Sequence, residues 1–326
     1  MSTIDYTPYK FLDWVLDWDN KDILNNSLED LSRNPNAIHF LEQKLDKVNC
    51  DYLSKNPNAI HLLEQNPDII DWQRLSSNRN AIHLLEQNLD KIDWYVLSVN
   101  PNAIDLLEEN LDKVDWDWLS LNSKAIHLIE RNLDKIDWDY LCENPNAIHL
   151  LEQNPDKINW ERLSLNPNAI HLLEQNLDKV NWERLSTNEN AIHLLEENID
   201  KINWEALSLN ENAIHLLEEN IDKVDWDWLS LNSKAIHLLE QNQDKINWIE
   251  LSENPNAVHL LEKNQNKIEW NGILQNPSIF EIDYQVLQQR IEPFKEELIA
   301  KCFHPDRLIR YLDVYKYDIG EDEYQD

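Results

Sequence analysis

Asn144-Pro145-Asn146-Ala147-Ile148-His149-Leu150-Leu151-Glu152-Gln153-Asn154-Pro155-Asp156-Lys157-Ile158-Asn159-Trp160-Glu161-Arg162-Leu163-Ser164-Leu165 is one copy of a 22-residue unit that recurs eleven times, with no change of period, from Asn34 to Gln275. Alanine keeps the register from Ala37 to Ala257, always with asparagine three residues earlier. An unbroken period of this length marks stacked supersecondary units, none of which can bury its apolar face alone. Two short helices fit each unit. Asn144 is expected to cap helix A, with Pro145 at its first position and Asn154 ending it in a left-handed conformation. Asn159 is expected to cap helix B, which runs to about Leu165.

On a helical wheel Ala147 and Leu151 centre the apolar side of helix A, Ile148 and Leu150 flank it, and His149 and Gln153 lie opposite. So wide a stripe suits a helix that touches its own helix B and both neighbouring layers. The fold class is therefore all-α, an α-solenoid of eleven helix-turn-helix repeats with helical end caps. Eleven layers at about 8–10 Å each would make an open stack of roughly 100 Å. Residues 1–33 read as an N-terminal cap with a degenerate repeat, in which Leu31 and Ser32 stand where Leu53 and Ser54 stand one period later. Its stretch from Phe11 to Trp18 reads as a helix covering the first layer. Residues 276–326 read as a C-terminal cap with helices at 284–291, 294–303 and 305–314, followed by an acidic tail from Gly320.

The balance of 29 basic against 62 acidic residues, a net charge of −33, repels nucleic acid and anionic lipid and favours a basic partner. No stretch approaches 18 apolar residues and no signal peptide is visible, so membrane spans and secretion are not expected. Cys50, Cys142 and Cys302 are odd in number and far apart, which points to a reducing, cytoplasmic setting without a disulfide framework. With glycine at positions 272 and 320 alone, phosphate-cradling loops cannot be built, and no nucleophile–base motif is present. No catalytic residue, cofactor or metal is therefore assigned.

Columns of the repeat carry the remaining signal. Ten tryptophans from Trp72 to Trp270, with Cys50 in the first place, read as layer packing. Ten histidines from His39 to His259, with Asp105 in the fourth place, read as a polar ladder on helix A, because layers stand too far apart for two of them to share a metal. Their protonation between about pH 7 and 5 would shift the charge of the array. The asparagine columns read as helix starts and stops. Residues that vary between near-identical repeats lie on helix B, and Trp, Tyr and Arg are the types enriched at binding hot spots. Tyr52, Arg74, Trp118, Leu121, Tyr140, Arg162, Arg184, Trp228 and Leu231 are accordingly the candidate partner-binding residues.

The unit N-P-N-A-I-H-L-L-E-x-N followed by D-K-I-x-W-x-x-L-S resembles asparagine-rich short repeats in uncharacterised proteins of giant DNA viruses of the mimivirus type. The block from Phe303 to Asp313 resembles a segment that ends many such proteins. The resemblance covers about residues 31–313 and carries over no catalytic residue. It implies a viral source, with host cytoplasm or the virion as location. The functional expectation is a non-enzymatic scaffold for a basic protein partner, with a self-assembling structural component as the alternative.

Overall fold

The computed structural model describes residues 8–16, 28–302, 304, 307 and 310. The expected acidic tail, the helix at 305–314 and positions 17 and 18 of the N-terminal helix lie outside or largely outside these residues. Contacts divide the chain into two units, one formed by Phe11–Phe280 and the other by Glu281 onward with the residues around Lys10. The first unit is the repeat array, an all-α solenoid.

Helix B begins at each tryptophan because the residue before it caps it: Asn159 Oδ1 accepts from the Arg162 amide, as Asp115 does from Trp118. Helix A starts later than expected. Ile148 is its first residue, preceded by Ala147 with no side-chain cap, and Asn144 instead closes a turn in which its Oδ1 accepts from the Asn146 amide. Asn154 is not left-handed (φ −131°). Its side-chain amide donates to Leu150 O at 2.8 Å, so the last turn is satisfied by a side chain and needs no positive φ. Ala147, Leu150 and Leu151 are buried and His149 is exposed, as the wheel requires.

The asparagine columns do more than start and stop helices. The Asn144 Nδ2 group donates to Ser120 O and Asn122 O of the preceding layer, and eleven further asparagines, 22 residues apart from Asn34 to Asn276, make the same pair of bonds at 2.9–3.3 Å. Each buried Nδ2 thus uses both hydrogens, one on a helix-end carbonyl such as Ser120 O and one on an asparagine carbonyl such as Asn122 O, which also accepts the Ala125 amide. A second joint comes from serine: Ser98 Oγ donates to Trp94 O within its helix and accepts the amide of Asp115, the next B-helix cap. Cys142 occupies this position in one layer, and its Sγ takes the Asn159 amide at 3.3 Å.

The asparagine series has no first member. Asn34 donates to Leu274 O and Asn276 O, both at 2.9 Å, and Asn36 Nδ2 to Pro277 O at 3.0 Å, the bonds that one layer makes to the layer before it. The helix Leu28–Arg33, from the segment expected to be a degenerate cap, is a full B helix. Ser32 takes the Asn49 amide, and the helix packs on Trp270–Gln275 as on Cys50–Lys55. Twelve B helices therefore form a closed ring, and the open stack of roughly 100 Å becomes a circumference. Residues 277–279 form a short 3-10 turn where a twelfth helix A would begin, with Ile279 in the alanine slot. There strand β1 (Tyr9–Phe11) pairs with strand β2 (Phe280–Ile282), and Phe11 packs against Phe40 and Phe280 with centroids 5.4 and 4.3 Å apart. The helix expected from Phe11 to Trp18 is limited, in the described residues, to Asp13–Leu16.

Consecutive B helices pack on one another around the ring, and among the described residues no A helix packs as closely on the A helix of the next layer. The more closely spaced row must lie at the smaller radius, so the B helices line the inside. At about 8–10 Å per joint their axes stand roughly 15–19 Å from the ring axis, which leaves an opening of roughly 18–28 Å, wide enough for a peptide element of about 10–12 Å across.

In the second unit, the helices Tyr284–Ile291 and Lys295–Cys302 flank a 3-10 turn, Glu292–Phe294, that holds Pro293. Asp283 caps the first of them, and its own amide donates to Pro8 O at 2.7 Å. No described helix is long and apolar enough to cross a membrane.

Candidate functional site

Leu53 and Ser54 of each B helix, and their equivalents, point into the layer and are buried, which leaves the residues equivalent to Asp51, Tyr52 and Lys55 on the opposite side. These are the positions at which the repeats differ. The nine candidate residues all lie on this face, and the structure links several of them.

Trp118 is half-buried between Tyr95, 4.8 Å away edge-on, and Tyr140, stacked at 5.9 Å. The Arg162 guanidinium sits 4.5 Å from the Tyr140 centroid and bonds Glu143 at 2.5 Å. A continuous strip of side chains thus spans four layers. Tyr95 is 51% exposed, more than Trp118, and is not among the nine candidates. The signal was available: an aromatic stands at position 95 where six later repeats carry Asp or Glu.

Arg184 pairs with Glu161 at 2.9 Å, and Trp228, 40% exposed, donates through Nε1 to Glu205 at 3.2 Å. Leu121 and Leu231 are half-buried. Tyr52 lies under Arg33, whose guanidinium is 3.7 Å from the ring centroid, and Arg74 is exposed beside it. Asp117, Asp139, Glu161, Glu183, Glu205 and Asp227, one per layer, form an exposed carboxylate row next to the aromatic strip.

The tryptophan column is half-buried. Eight of its members, from Trp72 to Trp248, are roofed by the lysine of the next repeat at 4.4–4.8 Å, as in Lys223 over Trp204. The D-K-I-x-W pattern is therefore a cation–π joint. The histidines also work between layers: His149 Nε2 meets Glu130 at 2.8 Å and His215 meets Glu196 at 2.7 Å, both in the preceding layer. Within-helix pairing with the glutamate three residues on occurs at His39. Among the described residues no three metal-ligating side chains converge.

At the joint that closes the ring, burial pushes the carboxyls of Asp30 and Glu253 above the usual carboxylate range, and neighbouring Glu29, Glu250 and Glu269 add to the effect against the Arg33 charge. Burial likewise pushes the Cys142 thiol up to about 11. The chain matches no protein-family model, and comparisons with curated proteins and with solved structures find no match.

Proposed function

We propose that the ring is a non-enzymatic scaffold that receives a basic segment of a protein partner on the inward face of its B helices. The contact strip Tyr95–Trp118–Tyr140–Arg162 carries this reading, because it forms at the positions that vary while the groups joining the layers are kept. Aromatic faces beside a row of carboxylates suit arginine and lysine side chains, and the net charge of −33 would speed encounter with them. The resemblance to giant-virus repeat proteins suggests host cytoplasm or the virion as the setting. The test is crosslinking capture from native-cell lysate with the intact chain and a Tyr95→Ala, Trp118→Ala, Tyr140→Ala variant of unchanged circular dichroism. Loss of one basic partner from the variant supports the reading, and identical partner sets refute it.

A second reading, lateral self-assembly, is favoured by a row of exposed apolar residues in the turn after helix A: Leu89, Leu133, Leu177 and Ile199. Ring closure removes free end faces as a route to polymers, so assembly would use this row. Sedimentation showing a concentration-independent monomer would discard it.

A further inference from the structure

In a chain with twice as many acids as bases, most cations of the ring are engaged. Eight lysines roof tryptophans, while Arg131, Arg162, Arg184 and Lys234 pair with glutamates. A different arrangement stands beside the closing joint. Arg33, Lys55 and Arg74, from three consecutive B helices, line a cavity of about 370 Å³ together with Tyr52, Asn56 and Pro57. Among the described residues none of the three forms an ion pair with a carboxylate. Arg33 is fixed by neutral partners, the Tyr52 ring and Gln275 Oε1 at 3.1 Å. The carboxylates of Asp30 and Glu253 act on its charge without bonding it, and Asp30 instead accepts from Gln275 Nε2 at 3.2 Å.

Arg33 and Lys55 occupy equivalent positions one period apart, so the stacking of successive layers sets like charges side by side with Arg74 next to them. Such a cluster costs stability unless a counter-charge fills it. The volume is that of a small-molecule site. Two guanidinium forks and one ammonium match a tetrahedral, multiply charged oxyanion better than a lone carboxylate, since arginine offers paired donors and lysine a point charge.

The geometry points to a binding site for the phosphate group of a small molecule in the cavity between Arg33, Lys55 and Arg74. This site is separate from the aromatic strip and does not depend on the partner reading. Tyr52 takes part by holding the Arg33 plane, so its ring is not a free stacking surface for a base.

The test is titration calorimetry of the full chain at low salt with inorganic pyrophosphate and, separately, ADP. One saturable site is expected for pyrophosphate, weakened at least roughly tenfold by Arg74→Gln and by Lys55→Gln, the loss of one charge-assisted contact. Both positions are exposed, so the variants should keep the parent circular dichroism. Equal affinity for ADP means that the phosphoryl group alone is read. Tighter ADP binding, lost in the same variants, means that a nucleotide is the source. No saturable heat with either probe up to about 10 mM, or affinity unchanged in both variants, would overturn the assignment.

Discussion

Asn34 holds Asn276 as each asparagine of the series holds the one 22 residues before it, through an Nδ2 hydrogen bond of 2.9 Å to the main-chain oxygen. The two residues are 242 positions apart, and the bond makes the first joint of the array equivalent to every other. A repeat array normally loses one neighbour at each end. Here Leu28–Arg33 and Trp270–Gln275 supply that neighbour to each other.

Equivalence of the joints predicts equal costs. Asn34→Ala and Asn166→Ala each strand one buried helix-end carbonyl, Leu274 O or Cys142 O, and remove a second bond to an asparagine oxygen that also accepts a backbone amide, so each should cost about 1–3 kcal/mol in urea unfolding. An asparagine at the frayed end of an open array would cost far less.

The serine joint predicts the behaviour of its one sulfur substitute. Ser98→Ala leaves the Asp115 amide without its acceptor and should cost about 1–3 kcal/mol. Cys142→Ser restores the hydroxyl that other layers use and should gain about 0.5–1 kcal/mol. With its thiol pushed up to about 11 and buried, Cys142 should resist iodoacetamide at pH 8 in a Cys50→Ser, Cys302→Ser chain until denaturant opens the ring.

Lysine contributes to the joints through the indole face. Lys223→Met keeps an apolar roof over Trp204 while removing the charge, and should cost about 0.5–1 kcal/mol by thermal or urea unfolding.

Acid dependence follows from Glu253, whose carboxyl is held above the usual range in the folded ring, chiefly by burial. A carboxyl raised in this way binds its proton more tightly folded than unfolded, so its ionisation opposes folding as pH rises through the folded value. Glu253→Gln should therefore raise the unfolding temperature at pH 7, and the gain should vanish below the ordinary carboxylate range. Asp30→Asn should act in the same sense, reduced because an amide oxygen accepts the Gln275 bond less strongly than a carboxylate does.

Period and helix order were legible in the sequence because they rest on local spacing: Asn159 before Trp160 specifies a cap, and the Ala147–Leu151 stripe specifies a buried face. Closure was not legible, because curvature is a small angle per layer that accumulates over twelve layers, and no residue pattern within one repeat states its sum. Leu31 and Ser32 carried the trace, being the two residues a B helix needs for its core and its joint. The asparagine turns were misread because the side chains that would cap a helix are drawn across to the next layer's carbonyls, a tertiary demand stronger than local propensity. At the candidate site, the pairing of Trp118 with Tyr95 depends on the angle between layers, and the Arg33–Lys55–Arg74 cavity depends on the same angle in the first three layers.

Closure itself is tested most directly by electron spin–spin distance measurement between nitroxide labels at Asn36→Cys and Ser278→Cys in a chain without its three native cysteines. The ring predicts a short, narrow distance distribution, since Asn36 and Pro277 are in hydrogen-bond contact at 3.0 Å. A separation approaching the roughly 100 Å of an open stack would contradict it.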